Sequence, residues 1–112
     1  MDPTVTDPGK YVCLFENDRV RVLAYTDVPG DATHLHSHPD SVMITLAGFR
    51  RRLIMGDATR DVTLEPHEVR WLDAQEHRGE NIGDTPSHAI FVELKEGAGP
   101  APAGGTPPLG PS

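Results

Sequence analysis

Apolar and polar positions change places over short distances between Tyr11 and Glu96, and no segment carries an apolar stripe at helical spacing. Arg19 to Thr26 is the clearest case. Val20, Val22 and Ala24 share one face and Arg19 and Arg21 the other, the period of two of a half-buried strand. Tyr11 to Phe15 is an apolar run of strand-favouring residues. The same reading predicts strands over Thr33–His38, Val42–Ala47, Phe49–Met55, Thr59–Leu64, Val69–Leu72, His77–Ile82 and Ser87–Leu94. Turn chemistry divides them at Glu16-Asn17-Asp18, Pro29-Gly30-Asp31, Pro39-Asp40, Glu65-Pro66-His67 and Gly83-Asp84, with a tight hairpin at Gly56-Asp57. Eight or nine short strands at regular spacing predict an all-β antiparallel barrel or sandwich.

The two ends read differently. Residues 1–10 are turn-rich and predict a flexible segment or a short edge strand; residues 97–112 are mostly Gly, Pro and Ala and predict a disordered tail. The 112 residues therefore provide one domain, expected over 11–96. No apolar run approaches the ~18 residues of a membrane span. The net charge of −7 disfavours nucleic acid and anionic membrane as partners. Arg50, Arg51 and Arg52 form one local basic run, and alternation sets Arg50 and Arg52 on one face with Arg51 on the other. A single Cys13 leaves no internal disulfide, and the first residues lack the basic and apolar regions of a signal peptide. The expected compartment is the cytoplasm.

Chemistry concentrates in the histidines. His34, His36 and His38 alternate with Leu35 and Ser37, so in a strand all three imidazoles face one way. Neutral imidazole is the commonest protein ligand for transition metals. His77, followed by Asn81, lies on a later predicted strand. His67, in a turn, and His88, near a strand start, are expected at the surface.

These residues resemble the two motifs of the cupin superfamily, small antiparallel jelly-roll barrels. The first motif is matched by Gly30, five residues, His36-Ser37-His38-Pro39 and later Gly48, and the second by Pro66, His77 and Asn81. The chain is also similar to small single-domain bacterial cupins, some of them described as β-alanine degradation proteins. The resemblance implies a single jelly-roll barrel with metal ligands His36, His38 and His77, and His34 as a fourth ligand or a supporting group. The pair His34 and His36 fits the spacing back from Gly48 equally well, whereas Pro39 favours the later pair. Two departures stand out. No acidic residue occupies the usual ligand position, where Ser41, Val42 and Met43 stand with Asp40 slightly early, and the second motif lacks its glycine. The cofactor implied is one divalent transition metal; iron, zinc, manganese, nickel and copper all accept imidazole.

Met43, Phe49, Ile54, Met55, Trp71, Ile90 and Val92 are candidates for the barrel lining. Met43, Arg52, Trp71 and Glu76 are the expected substrate-pocket residues, with an inward arginine able to clamp a carboxylate. The expected function is a metal-dependent enzyme acting on a small carboxylate- or carbonyl-bearing metabolite, by dioxygenase or isomerase/cyclase chemistry. The alternative is a non-catalytic metabolite-binding or sensor protein. A homodimer is expected through Tyr11–Phe15 and Ala89–Val92, because exposed sheet edges invite pairing.

Overall fold

The computed structural model describes residues 1–95, so the expected tail lies outside the described residues. Nine strands follow a single helical turn: α1 (Pro3–Thr6), β1 (Tyr11–Glu16), β2 (Val20–Asp27), β3 (His36–His38), β4 (Ser41–Thr45), β5 (Phe49–Met55), β6 (Ala58–Leu64), β7 (Val69–Leu72), β8 (Gln75–Asn81) and β9 (Ser87–Leu94). They form a five-stranded sheet, ordered β1-β2-β9-β4-β7, and a four-stranded sheet, ordered β3-β8-β5-β6. All pairings are antiparallel. The architecture is the expected all-β jelly roll, built from two open sheets. The hairpin at Gly56-Asp57 forms as expected: Met55 pairs with Ala58, and Gly56 takes a φ of 59° that a side chain would disfavour.

Two expectations need correction. Residues 1–10 form neither a flexible segment nor an edge strand. Asp2 caps α1 by accepting from the Thr4 backbone N–H at 2.8 Å, with Pro3 in the first turn and buried. Asp7, also buried, then accepts from the His34 backbone N–H at 3.1 Å, which ties the segment beneath β3.

The second correction concerns which strand faces point inward. In β2 the buried positions are Leu23, Tyr25 and Asp27, and in β9 they are Ser87, Ala89, Phe91 and Glu93. Val22, Ala24, Ile90 and Val92 therefore lie on the outer face. The interior is partly polar because Asp27, Arg51, Asn81, Ser87 and Glu93 are buried beside the apolar core of Tyr11, Leu23, Tyr25, Met43, Phe49 and Phe91. Buried polar groups on this scale persist only when they bond to one another, and here they do. Asp27 accepts from Tyr25 Oη, Arg51 Nη1 (2.5 Å), Asn81 Nδ2 (3.0 Å) and the Ser87 backbone N–H (3.2 Å). Burial pushes the Asp27 carboxyl up, but the bonds from Tyr25, Ser87 and Asn81 and the Arg51 charge outweigh it and hold it below the usual range.

Candidate metal centre

Strand pairing assembles the site. β3 and β8 lie side by side, and their register sets His36 opposite His77 and His38 opposite Gln75. His36 and His38 share the inward face of β3 because they are two residues apart. The three rings gather with centroids 4.7 Å (His36–His38), 5.0 Å (His36–His77) and 5.1 Å (His38–His77) apart. One nitrogen from each can be chosen so that all lie within 4.8 Å of one another.

The Nδ1 atoms are already engaged. His36 Nδ1 bonds the His34 carbonyl at 2.7 Å, His38 Nδ1 the Glu93 carboxylate at 3.0 Å, and His77 Nδ1 the Gln75 Oε1 at 2.9 Å. Each of these partners is an oxygen acceptor, so each Nδ1 carries the proton and each Nε2 keeps its lone pair. The Nε2 atoms of His36 and His38 are buried with no hydrogen-bond partner. Burial and the neighbouring His38 push the His36 pKa down; burial, with His38, His36 and Arg51 nearby, takes His77 to about 3. His36 and His77 are therefore uncharged at neutral pH. Three imidazoles held by their Nδ1 bonds, two of them with buried, unpaired Nε2 atoms, fit a divalent transition ion, whose charge would stabilise those lone pairs.

The trio opens on a cavity of about 480 Å³ between the sheets. Tyr11, Tyr25, Met43, Phe49 and Phe91 line it beside His36 and His77. Phe91 stacks on His38 at 5.5 Å. Arg51 enters from β5, its Cζ 4.9 Å over the Tyr25 ring, and Nη1 donates to Tyr25 Oη at 3.0 Å. The guanidinium rests against Gly79, where an added Cβ would fall 2.6 Å from Nη2. Gly79 is two residues from His77 on the same face of β8, so the cation and the trio are neighbours along one strand.

Of the sequence-derived candidates, His36, His38 and His77 converge and Met43 lines the cavity beside them. Of the two histidine pairs, the structure brings His36 and His38 together with His77. His34 turns away, its side chain 78% exposed and its Nδ1 3.0 Å from Asp7. Arg52 is not a pocket residue: alternation turns it out of β5, where its Nε lies 2.8 Å from Asp61. Arg51 is the inward arginine. Glu76 is exposed on the opposite face of β8 from His77, and Gln75 takes the inward place. Trp71 borders the cavity but is 53% exposed. Among the lining candidates Met43 and Phe49 point inward, whereas Ile54, Met55, Ile90 and Val92 do not. His67 sits in its turn at a φ of 65°. Glu93, Arg51, Asp27 and Gln75 were not found by motif. Their signal is parity: each is polar and lies two residues from an inward residue of its own strand.

No family model matches the sequence, and no curated protein matches it. Solved structures do match. A cupin domain from Bordetella pertussis superposes with a TM-score of 0.71 at 23% identity, covering 76% of this chain and 91% of that one. A cupin family protein with a double-stranded β-helix fold from Methanocaldococcus jannaschii gives 0.62 at 13% identity, covering 75% and 77%. A conserved protein with a double-stranded β-helix domain from Klebsiella pneumoniae gives 0.59 at 18% identity, covering 81% and 82%. The chain has the cupin fold, the double-stranded β-helix, with three buried histidines able to hold a metal. No helix among the described residues is long and apolar enough to cross a membrane.

Proposed function

We propose that this protein holds one divalent transition metal through His36, His38 and His77. It acts in the adjoining cavity on a small carboxylate- or carbonyl-bearing metabolite, by dioxygen insertion or by metal-assisted isomerisation or cyclisation. The observation that carries this reading is the pair of buried, unpartnered Nε2 atoms on His36 and His38, since an unpaired buried acceptor is costly unless a ligand satisfies it. When bound, an ion on three neutral imidazoles keeps its positive charge and open positions and supplies Lewis acidity to an oxygen of the substrate. The chain's own residues do the rest. The His34 carbonyl, Glu93 and Gln75 hold the rings in one tautomer and orientation. Arg51 is placed to hold a substrate oxygen with the guanidinium edge that Asp27 does not use. Burial pushes the Tyr11 hydroxyl far above its ordinary pKa, so it stays protonated as a donor. Met43, Phe49 and Phe91 keep water from the substrate's body. The exposed free Cys13 suits a reducing cytoplasm.

The test is metal analysis of protein prepared without a histidine tag, alongside His36→Ala and His77→Ala. Near-stoichiometric metal in the wild type, lost in both variants, supports the reading. A wild type that neither carries nor rebinds any transition ion sinks it. A second reading, a metabolite-binding module without turnover, draws on the candidate ligand set: among the described residues no carboxylate joins the three histidines, and Met43 stands inward on β4 instead. Oxygen uptake or product formation that vanishes in His77→Ala separates the enzyme from saturable binding alone.

A further inference from the structure

Three of the chain's ten basic residues, Arg51, Arg60 and Arg70, border the cavity beside the trio, although the net charge is −7. The one acid on that border, Asp61, is turned out of β6 toward Arg52 at 2.8 Å. Strand register fixes where the arginines stand. Arg60 lies opposite Leu53, two residues from Arg51 on the inward face of β5, and Val62 lies opposite Arg51. Arg51 and Arg60 are thus diagonal neighbours, ~7–8 Å apart, with the half-buried Leu53 and Val62 on the other diagonal. Arg70 lies opposite Met43, an inward residue of β4. β6 and β7 are edge strands, one in each sheet, so Arg60 and Arg70 flank the same side of the cavity. They are also level. Arg51 meets Tyr25, which register aligns with Ala89 and Thr45, and each outer arginine stands two residues on from that line, on the histidine side.

We propose that the substrate is an extended dicarboxylate, its two carboxylates separated by a short methylene body. The proposal rests on the reading of this cavity as the substrate site and adds which substrate it takes. The inner carboxylate lies at the trio and Arg51. Both hydrogen bonds of Arg51 leave through Nη1, and its Nη2 lies against Gly79, two residues from His77. The outer carboxylate lies at Arg60 and Arg70. Arg60 is exposed and has no hydrogen-bond or ion-pair partner among the described residues. Arg70 gives only Nη2 to Glu68, at 2.6 Å, and keeps Nε and Nη1. A guanidinium fork matches the two oxygens of a carboxylate. β5 separates β6 from β8, which carries His77, so the two ends of the site are two strand spacings apart, ~10 Å. A body that crosses this distance passes over Leu53 and Val62, whose side chains are apolar. A monocarboxylate leaves the outer cations unmatched, and oxalate has no body with which to reach them.

Calorimetry on the intact chain tests it. Succinate, glutarate and adipate are each set against the monocarboxylate of equal carbon number, with metal content measured on every sample. The best of these diacids is expected to bind about tenfold or more tighter than its monoacid, the worth of one charge-assisted hydrogen bond. Rising salt should shrink that margin, because the outer arginines are exposed. Arg60→Gln combined with Arg70→Gln should remove the margin and leave monoacid binding and metal content at wild-type values. Diacids and monoacids bound alike, or neither bound, overturn the proposal. So does a margin that survives the double substitution, or oxalate bound as tightly as the best diacid. The same titrations after chelator treatment separate this proposal from the metal reading. A diacid margin in a protein that neither holds nor rebinds metal leaves the proposal standing and sinks the metal reading. Stoichiometric metal without a margin does the reverse.

Discussion

Glu93 Oε2 lies 3.0 Å from His38 Nδ1, and both side chains are buried. Arg21 holds the same carboxylate from the other side, with Nε at 2.9 Å and Nη2 at 2.7 Å. The acid absent from the expected ligand positions is thus present behind His38, a candidate ligand, where it fixes the imidazole's tautomer and orientation. Glu93→Gln keeps the shape but removes the charge. Metal affinity is expected to fall by ~10–100-fold, read by chelator competition. Unchanged affinity would leave Glu93 with a packing role only.

Arg51 and Asp27 form the other buried pair, 2.5 Å apart. Arg51→Met leaves the Asp27 charge uncompensated in the core, at a cost of about 3–5 kcal/mol. Adding Asp27→Asn is expected to recover part of that loss, because the charge is then gone. Urea unfolding of the single and double variants measures both. A double variant less stable than Arg51→Met refutes the pairing argument.

The strand plan was legible because alternation and turn residues are local signals. Phe49–Met55, Val69–Leu72 and Ser87–Leu94 form where the pattern set them, and Gly56 turns where it should. Which face turns inward was not local. In Ser87–Leu94 hydropathy favours Ile90 and Val92 as lining, yet Glu93 and Ser87 are buried instead. The reason is pairing: Glu93 meets Arg21 and His38, and Ser87 meets Asp27, over 72, 55 and 60 residues of sequence separation. Arg52 was preferred to Arg51 for the same reason, since the partner that draws Arg51 inward is on β2. The histidine trio was readable because two of its members share one strand at alternate positions.

The N-terminal turn is the element least visible in composition, and its anchor is one residue. Burial pushes the Asp7 carboxyl up, but bonds from Thr6 and His34 hold it below the usual range. Its Oδ2 also lies 4.0 Å from His36 Nδ1. Asp7→Ala removes the acceptor for the His34 backbone N–H and is expected to cost about 1–3 kcal/mol. Protease digestion within residues 1–10 should accelerate in step. A variant as resistant as the wild type would mean that α1 is held by Pro3 and Asp2 alone.

Acid should destabilise the metal-free protein through His36 and His77 before it reaches the carboxylates. His77 titrates at about 3 when folded against an ordinary 6.5, displaced by burial and by His38, His36 and Arg51; His36 moves the same way. Above pH 6.5 the ring is neutral in both states and stability does not change. Between 6.5 and 3 the unfolded chain binds a proton that the folded chain excludes, so stability falls as pH falls, by up to ~1.4 kcal/mol per pH unit for each such proton. Below about 3 the folded ring protonates as well and this loss ends. Urea midpoints of the metal-free wild type at pH 7.5, 6 and 5 should therefore decline. His77→Leu should flatten part of that slope, because it removes the group that titrates. Bound metal should steepen the decline, since protons compete with the ion for the same Nε2 atoms. A metal-free midpoint that stays level across this range would mean that the rings charge without cost, and that the three are not packed together in solution.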